Sequence, residues 1–155
     1  MPQLQVREVE AADHDQWVVL YAGYREFYHL APDDEVVETT WRWVLNREHA
    51  LTGLVAVDEG GETGEVVALA NLRVVARPSA GRLGLFLDDL FTAPAARGRG
   101  AGAALLERAA RLAAETGAVV VRWQTASDNS TARALYDRYA TLTPFIVYDM
   151  APAAD

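Results

Sequence analysis

The chain has 155 residues, 51% apolar and 23% charged, the make-up of one soluble globular domain large enough to bury a core. It contains no cysteine, which excludes disulfides, thiolate metal sites and a cysteine nucleophile. Its 14 basic residues are all arginine against 22 acidic ones, and the net charge of −8 argues against a nucleic-acid binder and suits cationic partners.

The opening MPQLQVREVE lacks an apolar signal core, and no apolar run nears the length of about 18 residues that spans a membrane, so a cytoplasmic protein with no membrane partner is expected. Gln3 to Val9 reads as a short first strand. Asp13, with Gln16 three residues on, marks a capping box at the start of a helix. Trp17, Leu20, Tyr21, Tyr24, Phe27 and Tyr28 fall on one face of that helix. Pro32 opens a second helix with Asp33 and Asp34 in its first turn, and Val36, Val37, Thr40, Trp41, Val44 and Leu45 continue it.

Leu51 to Val57 and Glu65 to Val75 read as a hairpin about the turn Asp58-Glu59-Gly60-Gly61. Leu83 to Thr92 is the next strand. The helix that follows carries Leu105, Leu106, Ala109, Leu112 and Ala113 on one face and stops at Gly117. The apolar run Ala118 to Gln124 suggests a strand buried on both faces. Asn129 lies among N-cap candidates for a last helix bearing Ala132, Leu135, Tyr136 and Tyr139. Phe145 to Met150 reads as a closing strand, and residues 151–155 as a tail. No linker or repeat divides residues 1–155, so a single α/β domain with helices on both faces of a mixed sheet is expected.

The chemistry concentrates between Leu83 and Gly102, where a strand, a turn at Pro94, the loop Arg97-Gly98-Arg99-Gly100-Ala101-Gly102 and a helix start follow one another. Free backbone N–H groups and the dipole at a helix N-terminus attract anions, and glycines let an anion approach the backbone. Arg97 and Arg99 add cations with a fork suited to phosphate. The nucleotide pattern that ends in Gly-Lys-Ser/Thr is impossible here, since the chain has no lysine, and Gly98-x-Gly100-x-Gly102 has the wrong spacing for the dinucleotide fingerprint.

The fitting pattern is Arg-x-x-Gly-x-Gly, Arg97 to Gly102, after a strand and proline. It resembles the coenzyme A loop of the GNAT superfamily of N-acetyltransferases. Asn129-x-x-Ala132-x-x-x-Tyr136 resembles a second motif of that family. The resemblance implies a mixed, mostly antiparallel sheet of six to seven strands, with a splayed central strand pair that admits acetyl-CoA as the acetyl donor. It implies cofactor contacts from Leu90, Phe91, Thr92, Arg97, Gly98, Arg99, Gly100, Ala101, Gly102, Ala103, Asn129, Ala132 and Tyr136, with Tyr136 as general acid. A phenol, with an ordinary pKa near 10, is protonated and able to donate at neutral pH. Tyr136 can equally be one more apolar-face aromatic, and Tyr139 competes for its role.

Asp88 and Asp89 stand in Phe86-Leu87-Asp88-Asp89-Leu90-Phe91, which resembles the strand of the diamine and spermidine/spermine N-acetyltransferase branch. Strand alternation sends the two carboxylates to opposite faces. One of them would bind the substrate ammonium or take its proton through water, with Asp88 preferred as the base and Asp89 as a binding residue. A solvated acid beside one paired with arginine is the plainer alternative. Tyr24, Tyr28 and Trp43 are candidate walls for a cationic acceptor, Trp43 because it lies off the main apolar face of its helix.

His14, His29 and His49 have no metal-ligand spacing, so no metal is expected. The expectation is an N-acetyltransferase acting on a small primary amine such as a polyamine, amino acid or aminated metabolite. A homodimer formed through Phe145, Ile146 and Val147 is part of the same expectation. Peptide or protein N-acetylation, or a non-catalytic acyl-CoA-binding module, are the alternatives.

Overall fold

The computed structural model describes residues 3–60 and 64–154. Residues 1–124 form one compact unit and residues 125–155 a second. In the first, a sheet runs in the order β1-β2-β3-β4-β5. Its strands are β1 (Leu4–Glu8), β2 (Leu51–Asp58), β3 (Glu65–Arg77), β4 (Arg82–Thr92) and β5 (Val121–Arg122). Neighbours pair antiparallel as far as β4, and β5 joins β4 in parallel.

Helices α1 (His14–Phe27) and α2 (Asp34–Leu45) lie on one face of the sheet, and the pleat explains which side chains meet them. Val55, Val57, Leu69 and Phe91 point into a cluster with Trp17, Leu20, Tyr21, Val37, Trp41 and Val44. The alternate residues Leu54, Ala56, Ala68, Ala70 and Leu72 are buried with Leu105, Leu106, Ala109 and Leu112 of α3 (Ala101–Thr116). Gly23 eases the contact of α1 with β4, because a Cβ there would lie 3.2 Å from the Phe91 ring, tighter than ordinary packing. The missing side chain lets α1 settle directly on β4.

Several local expectations change. The sheet has five strands among the described residues, not six or seven. Phe145 to Met150 forms no strand, and its large apolar side chains are exposed. The run from Ala118 to Gln124 yields only the two-residue β5, and Val119 is 40% exposed, so among the described residues this segment is the sheet's edge and not a strand covered on both faces. Asp33 caps α2 from outside by accepting from the Val36 N–H at 3.1 Å. Gly61 of the hairpin turn and Asp155 of the tail lie outside the described residues.

Asp13 also differs from expectation. Its box partner is Glu10, whose backbone N–H donates to Asp13 at 2.8 Å, while Gln16 accepts from the Val66 N–H at 2.8 Å. Asp13 is buried and takes a two-pronged bond from Arg7 at 2.7 and 2.8 Å. Burial alone pushes its carboxyl up, but the Arg7 bonds, the Glu10 N–H and the Arg7 charge together hold it below its usual range.

Removing one partner of a buried pair strands the other charge, so Arg7→Ala is expected to lower the unfolding free energy by about 3 kcal/mol in a urea titration at pH 7. A carboxyl with a depressed native pKa contributes its stability in full above its unfolded value and loses it as pH falls through its native one. Without Arg7, burial raises the variant's Asp13 carboxyl. The gap between wild type and variant should therefore be full at pH 7, begin to narrow as pH falls through that raised value, and close below about 4.

Candidate active site

The ladder between β3 and β4 slips at one point. Asn71 pairs with Asp89, yet Leu72 pairs with Leu87, so Asp88 is an extra residue in a β-bulge. The bulge cancels one step of alternation. Asp89 accepts from the Asn71 amide at 2.9 Å, and Asp88 accepts from Arg73 Nε at 2.9 and 3.2 Å. Asn71 and Arg73 are two apart on β3 and share a face, so both carboxylates point to the α1–α2 side and not to opposite faces.

Asp89 meets α1 there, accepting from the Tyr21 hydroxyl at 3.3 Å. Tyr21 stacks on Tyr24 with centroids 5.4 Å apart and planes 8° apart, and Tyr24 packs at 4.9 Å on Tyr28. Burial, followed by the charge of Asp89, pushes the Tyr21 and Tyr24 phenols far above their ordinary pKa, so both stay protonated. The Asp88 carboxyl is raised chiefly by desolvation, the Arg73 bond and charge oppose this, and the Asp89 charge adds to it. Asn71 is 1% exposed, and its Oδ1 has no hydrogen-bond partner.

Trp43 does not join this cluster. Its one ring contact among the described residues is His49, at 4.8 Å. It lines a shallow cavity of about 250 Å³ on α2 with Asp33, Glu35, Val36, Thr39 and Thr40. The side of α2 that faces away from the core carries it, which is why leaving the apolar face did not lead to the acids.

The glycine loop stands at the end of β4. Gly98 and Gly100 have φ of 76° and 87°, the left-handed region that glycine adopts freely, and a Cβ at either would meet nothing within 4 Å. Gly100 is the N-cap of α3; no side chain among the described residues caps that helix, and no acid stands in its first turn. The backbone donors of Ala101, Gly102 and Ala103 are therefore left for an outside anion. Arg99 lies 3.7 Å from Asp58. Arg97 donates from Nε to the Thr92 carbonyl at 3.3 Å and lies over the rings of Phe27 and Phe91 at 5.7 and 5.5 Å.

The β4–β5 ladder ends at Phe86 and Arg122, while β4 continues to Thr92. Leu90, Phe91 and Thr92 thus lie on a length of β4 that β5 does not pair, and no other strand among the described residues is paired there. Main-chain groups that β5 does not pair, leading to an anion cradle, fit a pyrophosphate-bearing cofactor with a polar arm.

The second unit holds α4 (Ser130–Tyr139) with Asn129 as its N-cap. The Asn129 amide donates to Thr125 Oγ1 at 3.2 Å, and its carbonyl accepts from the Arg133 N–H at 3.0 Å. Ala132 and Tyr136 are half-buried and follow Asn129 at spacings that put all three along one side of α4. Sequence reasoning overlooked Tyr21 and Arg73 as site residues, and it overlooked Asn71, whose signal was a lone amide inside an apolar strand.

Residues 15–140 match the family described as "Acetyltransferase (GNAT) family". "Uncharacterized N-acetyltransferase YhfO" of Bacillus subtilis (strain 168) is 30% identical over 147 residues, 94% of this chain and 95% of that protein. "D-amino-acid N-acetyltransferase HPA3" of Saccharomyces cerevisiae is 27% identical over 146 residues, 94% of this chain and 89% of its own. Among solved structures, an aminoglycoside N-acetyltransferase, AAC(6')-Iy in complex with CoA, superposes with a TM-score of 0.82 at 15% identity, covering 99% of this chain and 97% of that one.

Arg73 is the main influence keeping the Asp88 carboxyl down. Arg73→Ala is therefore expected to move the Asp88 titration to higher pH, as followed through its side-chain carboxyl carbon by NMR. An unmoved titration would show that the ion pair does not hold this acid.

Proposed function

Because the chain belongs to the acetyltransferase (GNAT) family, and so is an acetyl-CoA-dependent N-acetyltransferase, we propose that its acceptor is the primary amine of a small molecule, attacked directly within a ternary complex. The observation that carries this reading is the bulge at Asp88, which sets two carboxylates on the aromatic face beside the open length of β4. Two similar proteins, by their names, acetylate D-amino acids and aminoglycosides, both small amines.

Acetyl-CoA supplies an acyl group on a thioester. The backbone from Arg97 to Ala103 holds its pyrophosphate at the start of α3, with Arg99 screening the charge. Main-chain groups of Leu90, Phe91 and Thr92 hold the pantetheine arm and polarise the thioester carbonyl. Asn129 and Ala132 contact the same arm, and Tyr136 gives a proton to the departing thiolate.

Asp89 anchors the ammonium beside the stacked Tyr21 and Tyr24 rings, with Tyr28 extending the wall. Alkyl ammonium groups titrate near 10.4, so the amine must lose a proton before attack. Asp88 takes it through water, and its raised pKa makes it a better acceptor than an ordinary carboxylate. With no cysteine in the chain, an acyl-cysteine intermediate is ruled out. The enzyme works in the cytoplasm and pairs as a homodimer through the exposed Phe145, Ile146 and Val147.

Thiol release from acetyl-CoA in the presence of an amine panel tests the acceptor class, and the absence of cysteine leaves liberated coenzyme A as the sole source of signal. Tyr136→Phe should lower kcat by about 10²- to 10⁴-fold with acetyl-CoA affinity unchanged, and full retention of kcat would remove Tyr136 from the mechanism. As base, Asp88 acts only when ionised. Wild-type kcat/KM should therefore fall as pH drops through a value above the ordinary aspartate range, and Asp88→Asn should abolish that limb while lowering kcat.

A further inference from the structure

We infer that the acceptor is a zwitterion, an α-amino acid whose ammonium sits at Asp89 and Asn71 and whose carboxylate is held by Arg73. This rests on the reading of the site as an acceptor pocket for a small amine and narrows it. Three observations carry it.

The first is the division of Arg73. Its Nε donates to both oxygens of Asp88, at 2.9 and 3.2 Å, while neither Nη has a hydrogen-bond partner among the described residues. The guanidinium lies over the Phe86 ring at 5.0 Å, and its side chain is 45% exposed. A guanidinium edge with parallel N–H groups, anchored through Nε and open to solvent, is the shape that binds a carboxylate with two bonds.

The second is Asn71. Its amide nitrogen is committed to Asp89, and its Oδ1 is a buried acceptor with no donor. A buried acceptor left unmade is costly, so this amide calls for an N–H donor beside the Asp89 carboxylate. An ammonium brings three, enough for Asp89 and Asn71 together.

The third is register. Asn71 and Arg73 are two apart on one face of β3, one strand repeat of about 7 Å. That separation suits one small molecule that meets an anion at one end and a cation at the other. It does not suit a diamine, whose second ammonium would come toward Arg73, and a like charge there acts as a rejecting element.

The experiment compares matched acceptors that differ only in the carboxylate: phenylalanine of either hand against phenethylamine, and alanine against ethylamine, with putrescine as the diamine. Thiol release is measured for wild type, Arg73→Ala and Arg73→Lys, and acetyl-CoA binding by calorimetry. Wild type should prefer the better enantiomer over the bare amine by about tenfold to a hundredfold in kcat/KM, the worth of bonds to a charged group. Arg73→Ala should bring that ratio close to one, mainly through KM, with acetyl-CoA affinity unchanged, and Arg73→Lys should restore part of it.

Because the ratio is taken within one protein, a loss of folded material cancels. Equal use of amine and amino acid by the wild type, a preference for putrescine, or a ratio that Arg73→Ala does not change would each overturn the zwitterion while leaving the small-amine reading standing. No release with any acceptor in the panel would overturn both.

Discussion

The bulge in β4 is the constraint on which the site depends. Without the extra residue, Asp88 and Asp89 would alternate, and one of them would point beneath α3 among Leu72, Leu87 and Leu105, where an unpaired charge is very costly. With it, both stay on the α1–α2 side. Bringing two like charges together has its own cost, and the Asp89 charge adds to the desolvation that chiefly raises the Asp88 carboxyl. The fold answers with one cation for Asp88 and two neutral donors for Asp89: the Arg73 guanidinium, and the Asn71 amide with the Tyr21 hydroxyl. These partners come from β3 and α1, so the site exists only once sheet and helix have docked.

That docking also joins the acids to the cofactor loop. Gly23 allows α1 to rest on Phe91, and the end of α1 then places Phe27 beside Phe91, with the Arg97 guanidinium over both rings. Arg97 therefore reports on two elements at once. Its Nε holds the Thr92 carbonyl at the turn into the loop, while its charge is spread over the aromatic wall that leads to Asp89. An arginine placed this way stiffens the turn from β4 to α3, which is the segment that must present main-chain donors in a fixed direction. Gly98 and Gly100 supply the left-handed turns that arginine or alanine would resist.

The parts of the fold legible in the sequence were those written in strong periodicity. The Trp17–Leu20–Tyr21 stripe and the Ala/Leu face of α3 predicted burial, and the glycine loop announced a helix start. What stayed hidden was set by pairing between distant segments. Nothing local in Leu87-Asp88-Asp89-Leu90 marks a bulge, since the extra residue is defined only against β3. Tyr21 was read as core and is core, 8% exposed, yet its hydroxyl reaches Asp89. Trp43 misled for the converse reason: a residue off the apolar stripe of a helix faces away from the sheet, and the acids sit on the sheet. The strand reading of Phe145 to Met150 followed from β-type composition alone, and composition becomes a strand only where a partner edge is available.

The two carboxylates share a face but not an environment, and this separates their work. Asp89 is surrounded by groups that only donate and never take its proton: an amide and a phenol that burial keeps protonated. It is equipped to receive a cation. Asp88 is partnered by a cation that solvent reaches, under an opposing desolvation that lifts its pKa. Any anion that draws on the free edge of Arg73 weakens that guanidinium's hold on Asp88, and a less restrained carboxylate has a higher proton affinity. A negatively charged group arriving at Arg73 would thus make Asp88 more basic at the moment a neighbouring ammonium has to lose its proton. On that argument the ion pair serves as more than neutralisation of a surplus acid, since it couples occupancy of one end of the site to proton transfer at the other.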